Sequence, residues 1–156
     1  MFGLFKSEPF VDDALGAFKK KGNYWVGTVG LSPHGVMELR LAGDRKAPDA
    51  SALLLARELP SRYASHFNQI ETALFDHFLP YGEANARGEL GELEEPIPQI
   101  ADAKQIWSHV YPSHVSIEPM QGVPTVEVAY RVGWDEEHTL GARLQNWRFL
   151  ELCGSV

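Results

Sequence analysis

Apolar and polar residues alternate most strictly between Thr125 and Trp134. Val126, Val128, Tyr130, Val132 and Trp134 fall on one side, and Thr125, Glu127, Ala129, Arg131 and Gly133 on the other. A period of two sustained over such a run predicts a half-buried β-strand. The same rule reads Tyr24–Leu31 and Val36–Leu41 as a hairpin. Its turn is Ser32-Pro33-His34-Gly35, where proline sets φ and glycine accepts a positive φ. In Val36–Leu41 the residues Met37, Leu39 and Leu41 oppose Glu38 and Arg40, so one face of this sheet is wet. Strands are also expected over Val115–Met120, Thr139–Leu144 and Trp147–Leu152, the last two joined by a turn at Gln145-Asn146. A weaker pattern within Phe10–Lys20 fits an early strand or a short helix.

The middle of the chain changes period. Pro48-Asp49-Ala50-Ser51 reads as a helix start with Asp49 or Ser51 as cap. Leucine-dense residues Ala52–Leu59 follow, and Pro60 is expected to break or kink the helix, because proline lacks the N–H donor. A second helix capped by Ser61 then carries Tyr63, Phe67, Ile70, Leu74 and Phe78 at helical spacing. Pro80-Tyr81-Gly82 is read as its end, and a third helix is expected over Ile100–His109. Strands gather at both ends and helices in the middle. That order predicts an α+β fold, an antiparallel β-sheet with two or three helices packed on one face.

Length changes the picture little. At 156 residues one domain (1–156) is expected, large enough to bury about 70% of its extended-chain surface. The aromatic set of 8 Phe, 5 Tyr and 4 Trp excludes a disordered chain, and a single cysteine excludes a disulfide scaffold or a cysteine-based zinc site. Cys153, beside Glu151, has nothing to activate it and reads as a buried structural thiol. The start, Met1–Phe5, is apolar for too few residues to be a secretory signal, and no apolar run suffices for a membrane-spanning helix. These features predict a cytoplasmic protein with no membrane partner.

Charge matters more. The net charge is −7 and is unevenly spread. Residues 1–48 carry seven bases and five acids, whereas residues 49–156 carry seven bases and sixteen acids. Much of the acid lies in an exposed loop expected at 82–98, with Glu83, Glu89, Glu92, Glu94 and Glu95 against Arg87 alone. Such a stretch is either a solvated connection or a contact surface for a protein partner with a basic surface. Lys19-Lys20-Lys21 beside Tyr24 and Trp25 reads as a solvated turn, so no nucleic acid is expected as partner.

The signatures of phosphate-binding loops, dinucleotide folds, serine-hydrolase elbows and HExxH metallopeptidases are absent from the sequence. No catalytic residue, metal or cofactor is therefore assigned. The densest polar cluster is Trp134-Asp135-Glu136-Glu137-His138, then Thr139-Leu140-Gly141. Adjacent residues of an extended chain face opposite ways, so these groups cannot all converge on one ion. A shaped turn is expected, with Trp134 needing a partner for its indole N–H. Trp134, Asp135, Glu137 and His138 are the candidate binding residues. His66 and His77 read as flanks of the helical apolar stripe, whereas His109 and His114 would meet His138 only if their strands adjoin.

The residues Trp134–Gly141, with the hairpin ending at Leu152-Cys153-Gly154-Ser155-Val156, resemble the close of an uncharacterised bacterial family of domains of unknown function. Its members end in a W-D-x-E-H-x-x-G turn and a short hairpin. The resemblance covers about the last 25 residues and extends less specifically to Leu53–Tyr81. It implies no known activity, and some similar domains are suspected immunity or adaptor proteins near toxin genes. Two function classes follow. One is a non-enzymatic protein-interaction domain of the immunity or adaptor type. The other is a metal-dependent or acid/base hydrolase using Asp135, Glu137 and His138. A self-pairing structural module is a third.

Overall fold

The computed structural model describes residues 7–154 and residue 156. Met1–Phe5 and Ser155, both used above, lie outside the described residues. Eight strands form one sheet in sequence order: β1 (Phe10–Asp12), β2 (Gly16–Lys21), β3 (Tyr24–Gly30), β4 (Val36–Ala42), β5 (Val110–Met120), β6 (Val123–Val132), β7 (Asp135–Gln145) and β8 (Arg148–Gly154). Between β4 and β5 run one long helix, α1 (Ala50–Ala86), and a 3-10 helix (Ala103–His109). The fold is mixed α+β. Every neighbouring pair of strands is antiparallel except β4 and β5, which are parallel. A parallel pair needs a crossover, and α1 with the 3-10 helix supplies it.

The expected register of β6 holds. Val126, Val128, Tyr130, Val132 and the following Trp134 are buried, under Tyr63, Ile70, Leu74 and Phe78 of α1, with Phe67 partly buried beside them. Matching rows from β3, β4, β5 and β7 complete the core: Trp25 with Leu41, Leu39 with Val115, and Val128 with Ala142. The other face carries Arg40, Glu38, Ser116, Glu127, Arg143 and Glu151, tied by ion pairs such as Arg143 Nε to Glu127 at 2.6 Å. Ion pairs of this kind and polar side chains are what an uncovered sheet face carries.

Several expectations are corrected. The two helices predicted on either side of Pro60 are one, and Pro80-Tyr81-Gly82 lies within it. Both prolines are on the exposed side of α1, so their rings meet water and do not disturb the packing against the sheet. The buried stripe Leu53, Ala56, Leu59, Tyr63, Ile70, Leu74, Phe78 runs past both, so burial outweighs the broken bonds. Asp49 stands at the N-cap without a side-chain capping bond, and the Ser61 hydroxyl donates to the Glu58 carbonyl inside the helix. The third predicted helix is shorter and 3-10. Lys19–Lys21 belong to strand β2, and the turn follows at Gly22-Asn23. The last hairpin turns at Asn146-Trp147, both with positive φ (49° and 55°), one residue later than expected. Cys153 is half-buried on the open face of the sheet opposite Gly141, not in the core.

Three of the four tryptophans clamp α1. The indole N–H of Trp147 donates to Glu58 at 2.8 Å, that of Trp107 to Glu71 at 2.6 Å and that of Trp134 to His77 Nδ1 at 3.0 Å. Trp147 and Trp134 fix two levels of the helix to strand ends of the sheet, and Trp107 fixes a third to the 3-10 helix. A buried indole N–H costs free energy unless it is paired, so these contacts set where α1 sits as well as how firmly. Among the described residues, no helix is long and apolar enough to cross a membrane.

Candidate functional site

The site forms where β6 gives way to β7. The chain reverses at Gly133-Trp134, and the Gly133 N–H donates to the His109 carbonyl at 2.8 Å, which joins the turn to the end of the 3-10 helix. Val132 pairs with Asp135 and Arg131 with Thr139, so Glu136, Glu137 and His138 bulge out of the ladder. The expected shaped turn is therefore a tight reversal followed by a bulge, and the bulge explains how a strand end can present three consecutive residues outward.

The bulge is braced from below. Trp134 is buried and spends its N–H on His77, so it anchors the site. Asp135 accepts from the Tyr81 hydroxyl at 2.8 Å, from His138 Nδ1 at 2.9 Å and, more loosely, from the Glu137 N–H at 3.3 Å. Burial alone would raise the Asp135 carboxyl, but the bonds from Tyr81 and His138 outweigh it and hold the group below its ordinary value. Tyr81 is pushed up to about 12, first by burial and then by the Asp135 carboxylate. His77 is lowered by burial, which suits its role as acceptor for Trp134. Glu136, Glu137 and His138 are exposed.

Two adjoining clefts meet at this bulge. One, of about 690 Å³, is lined by His109, Tyr111, Arg131, His138, Thr139 and the segment Glu95–Pro98. The other, of about 650 Å³, is lined by Tyr81, Leu90, Glu92–Glu95 and Trp134–His138. The acidic loop thus lies against the bulge, and the second cleft carries Glu92, Glu94, Glu95, Asp135, Glu136 and Glu137. Of the loop predicted at 82–98, residues 82–86 are helical, while Ile97 is half-buried against the core and tethers its far end.

All four candidate residues line the clefts; Trp134 and Asp135 also brace the bulge, whereas Glu137 and His138 are exposed. His109 and His138 line the same cleft, but His114 lies in a groove on the open face with Tyr24, Arg40 and Glu127. Among the described residues no three His, Cys, Asp or Glu side chains gather as metal ligands do. Sequence reasoning missed Tyr81 and His77. The signal for His77 was the demand of Trp134 for an acceptor. Tyr81 was hidden by its reading as a helix end.

The chain belongs to the family described as Domain of unknown function (DUF6985), whose model matches residues 15–155. No curated protein and no solved structure matches it.

Proposed function

We propose that this domain is a protein-interaction module of the immunity or adaptor type, and that it holds a basic segment of its partner in the acidic cleft. One observation carries the reading. Two acidic stretches far apart in sequence, Glu92–Glu95 and Asp135–Glu137, line a single cleft. Summed like charge in a concave site focuses the field and speeds the encounter with an opposite charge. Leu93, exposed on the same rim, adds an apolar contact. Bracing of the bulge by Tyr81 and His77 lowers the cost of ordering it on binding. A cytoplasmic, bacterial setting fits the lone free cysteine, and a toxin gene beside this one would support the immunity form.

The test is calorimetric titration with a lysine- and arginine-rich peptide at low salt. Replacing Glu92, Glu94, Glu95, Glu136 and Glu137 with glutamine abolishes the heat of binding. Replacing the exposed Asp13, in the β1–β2 turn, with asparagine does not. Equal losses in both variants contradict the reading.

The Asp135–His138 pair favours a second reading, acid/base or metal-assisted hydrolysis. Asp135 fixes Nδ1 and leaves Nε2 open to a proton or an ion. Against it, Asp135 is the one side chain that bonds His138 among the described residues. About one equivalent of zinc or manganese in the purified protein, lost in His138→Ala, would promote this reading over the first.

A further inference from the structure

A second buried polar system lies away from the cleft, between the β3–β4 turn, α1 and β6. His34 Nε2 is 2.6 Å from the Tyr63 hydroxyl, and that hydroxyl is 2.6 Å from the Tyr130 hydroxyl. Tyr63 and Tyr130 are fully buried, and His34 is half-buried. Tyr130 has no hydrogen-bond partner other than Tyr63 among the described residues.

These facts give the chain a direction. With neutral His34, Nε2 accepts from Tyr63 and Tyr63 accepts from Tyr130, so every hydroxyl proton is used. A protonated His34 has donors on both ring nitrogens and no acceptor. Tyr63 must then accept from His34 and donate to Tyr130, and the Tyr130 hydroxyl proton is left buried with no acceptor. An unsatisfied buried donor costs free energy, so protonation of His34 is disfavoured.

We propose that the His34–Tyr63–Tyr130 chain is a proton-sensitive latch that holds the β3–β4 turn docked on α1 while His34 is neutral and loosens it when His34 takes up a proton. The titratable groups facing His34 are Tyr63 from α1 and Tyr130 from β6. Its other ring neighbours are Phe67 from α1, and Trp107 from the 3-10 helix at 5.1 Å. No charged side chain is among these contacts, and the indole N–H of Trp107 is taken by Glu71. Burial lowers the proton affinity of His34, in the same direction as the latch. Trp107 lies two residues before His109, so the latch adjoins the wall of the cleft described above.

The experiment is an NMR titration of the His34 ring in the full chain and in three conservative variants. Tyr63→Phe removes the relay and leaves the half-buried Nε2 of His34 to water, so the His34 pKa rises by about one unit, a tenfold gain in proton affinity. Tyr130→Phe leaves the pKa low, because the Tyr63 hydroxyl proton is then the one without an acceptor, and the double variant matches Tyr63→Phe alone. No shift in Tyr63→Phe, or an equal rise in Tyr130→Phe, overturns the latch. Wild-type protein supplies an independent reading. The amides of Leu31 and His34, bonded within the turn, lose exchange protection between pH 7.5 and pH 5 after correction for intrinsic rates, while the Asn146-Trp147 turn keeps its own. Protection retained at both turns overturns it as well.

Discussion

Arg57 and Glu58 are chain neighbours on α1, and they bond opposite edges of the sheet. Arg57 donates to the Asp12 carboxylate in the β1–β2 hairpin, and Glu58 accepts from Trp147 in the β7–β8 turn. Asp12 also accepts from the N–H groups of Ala14 and Leu15, which shapes the first hairpin. The bond from Arg57 holds the Asp12 carboxyl below its ordinary value, against the opposing effect of burial. One turn of helix therefore pins both margins of an eight-stranded sheet.

Separate loosening of the two margins follows. Arg57→Ala should raise hydrogen exchange across residues 10–21 and leave residues 148–154 protected. Glu58→Ala should do the reverse. Exchange that rises at both margins in either variant would show that the two contacts are not independent.

The core makes a second prediction. Leu74 and Val128 are fully buried on facing layers. Truncating either to alanine removes transfer free energy and leaves a cavity, so each change should cost about 2–4 kcal/mol in chemical denaturation. A cost under about 0.5 kcal/mol, the range of surface positions, would contradict the packing described.

The pH dependence has a definite sign. His34 and His77 hold protons less tightly in the fold than in the unfolded chain, because both are buried. The unfolded state then binds more protons, and stability falls as pH drops below the ordinary histidine value of 6.5. Asp12 and Asp135 are shifted down in the fold, so their stabilisation is present above the ordinary carboxylate value of 3.8 and is lost as pH falls through their lower folded values. Melting temperature should therefore be level near neutral pH, decline below 6.5 and decline further below about 4. His77→Gln keeps an acceptor for Trp134 and removes one titrating group, so it should flatten the first decline. An unchanged slope in that variant would exclude His77 as a source.

The loop makes a fourth prediction. Residues 91–96 are exposed and lie in no helix or strand. Limited proteolysis with a glutamate-specific enzyme should cut there first and leave a folded, nicked protein. Cleavage first within α1 would contradict this.

Much of the fold could be read from local pattern, and the reasons for success and failure are physical. Val126 to Trp134 announced its buried face because alternation is a property of a single strand. The helical stripe from Tyr63 to Phe78 did so for the same reason. Pro60 and Pro80 misled because their cost depends on which side of the helix meets water, and that is decided by packing. Strand β2 was obscured by Lys19–Lys21, since Phe18 is its one buried residue. The parallel pairing of β4 with β5 has no local signature at all. At the site, Trp134 to His138 stood out by composition. Their partners Tyr81 and His77 are 54 and 57 residues away in the chain, and only the docking of α1 joins them. The approach of Glu92–Glu95 to the same bulge was equally invisible, because a loop without periodicity carries no record of what it lies against.

The central claim is that this acidic cleft receives a basic partner segment, and amide chemical-shift mapping tests it most directly. Isotope-labelled protein is titrated with a lysine- and arginine-rich peptide at low salt and again at high salt, where exposed charges are screened within a few ångströms. The account predicts saturable shifts concentrated at residues 90–97 and 133–138, weakened by salt. Shifts centred instead on the open sheet face around Glu118 and Glu127, or none at low salt, would contradict it.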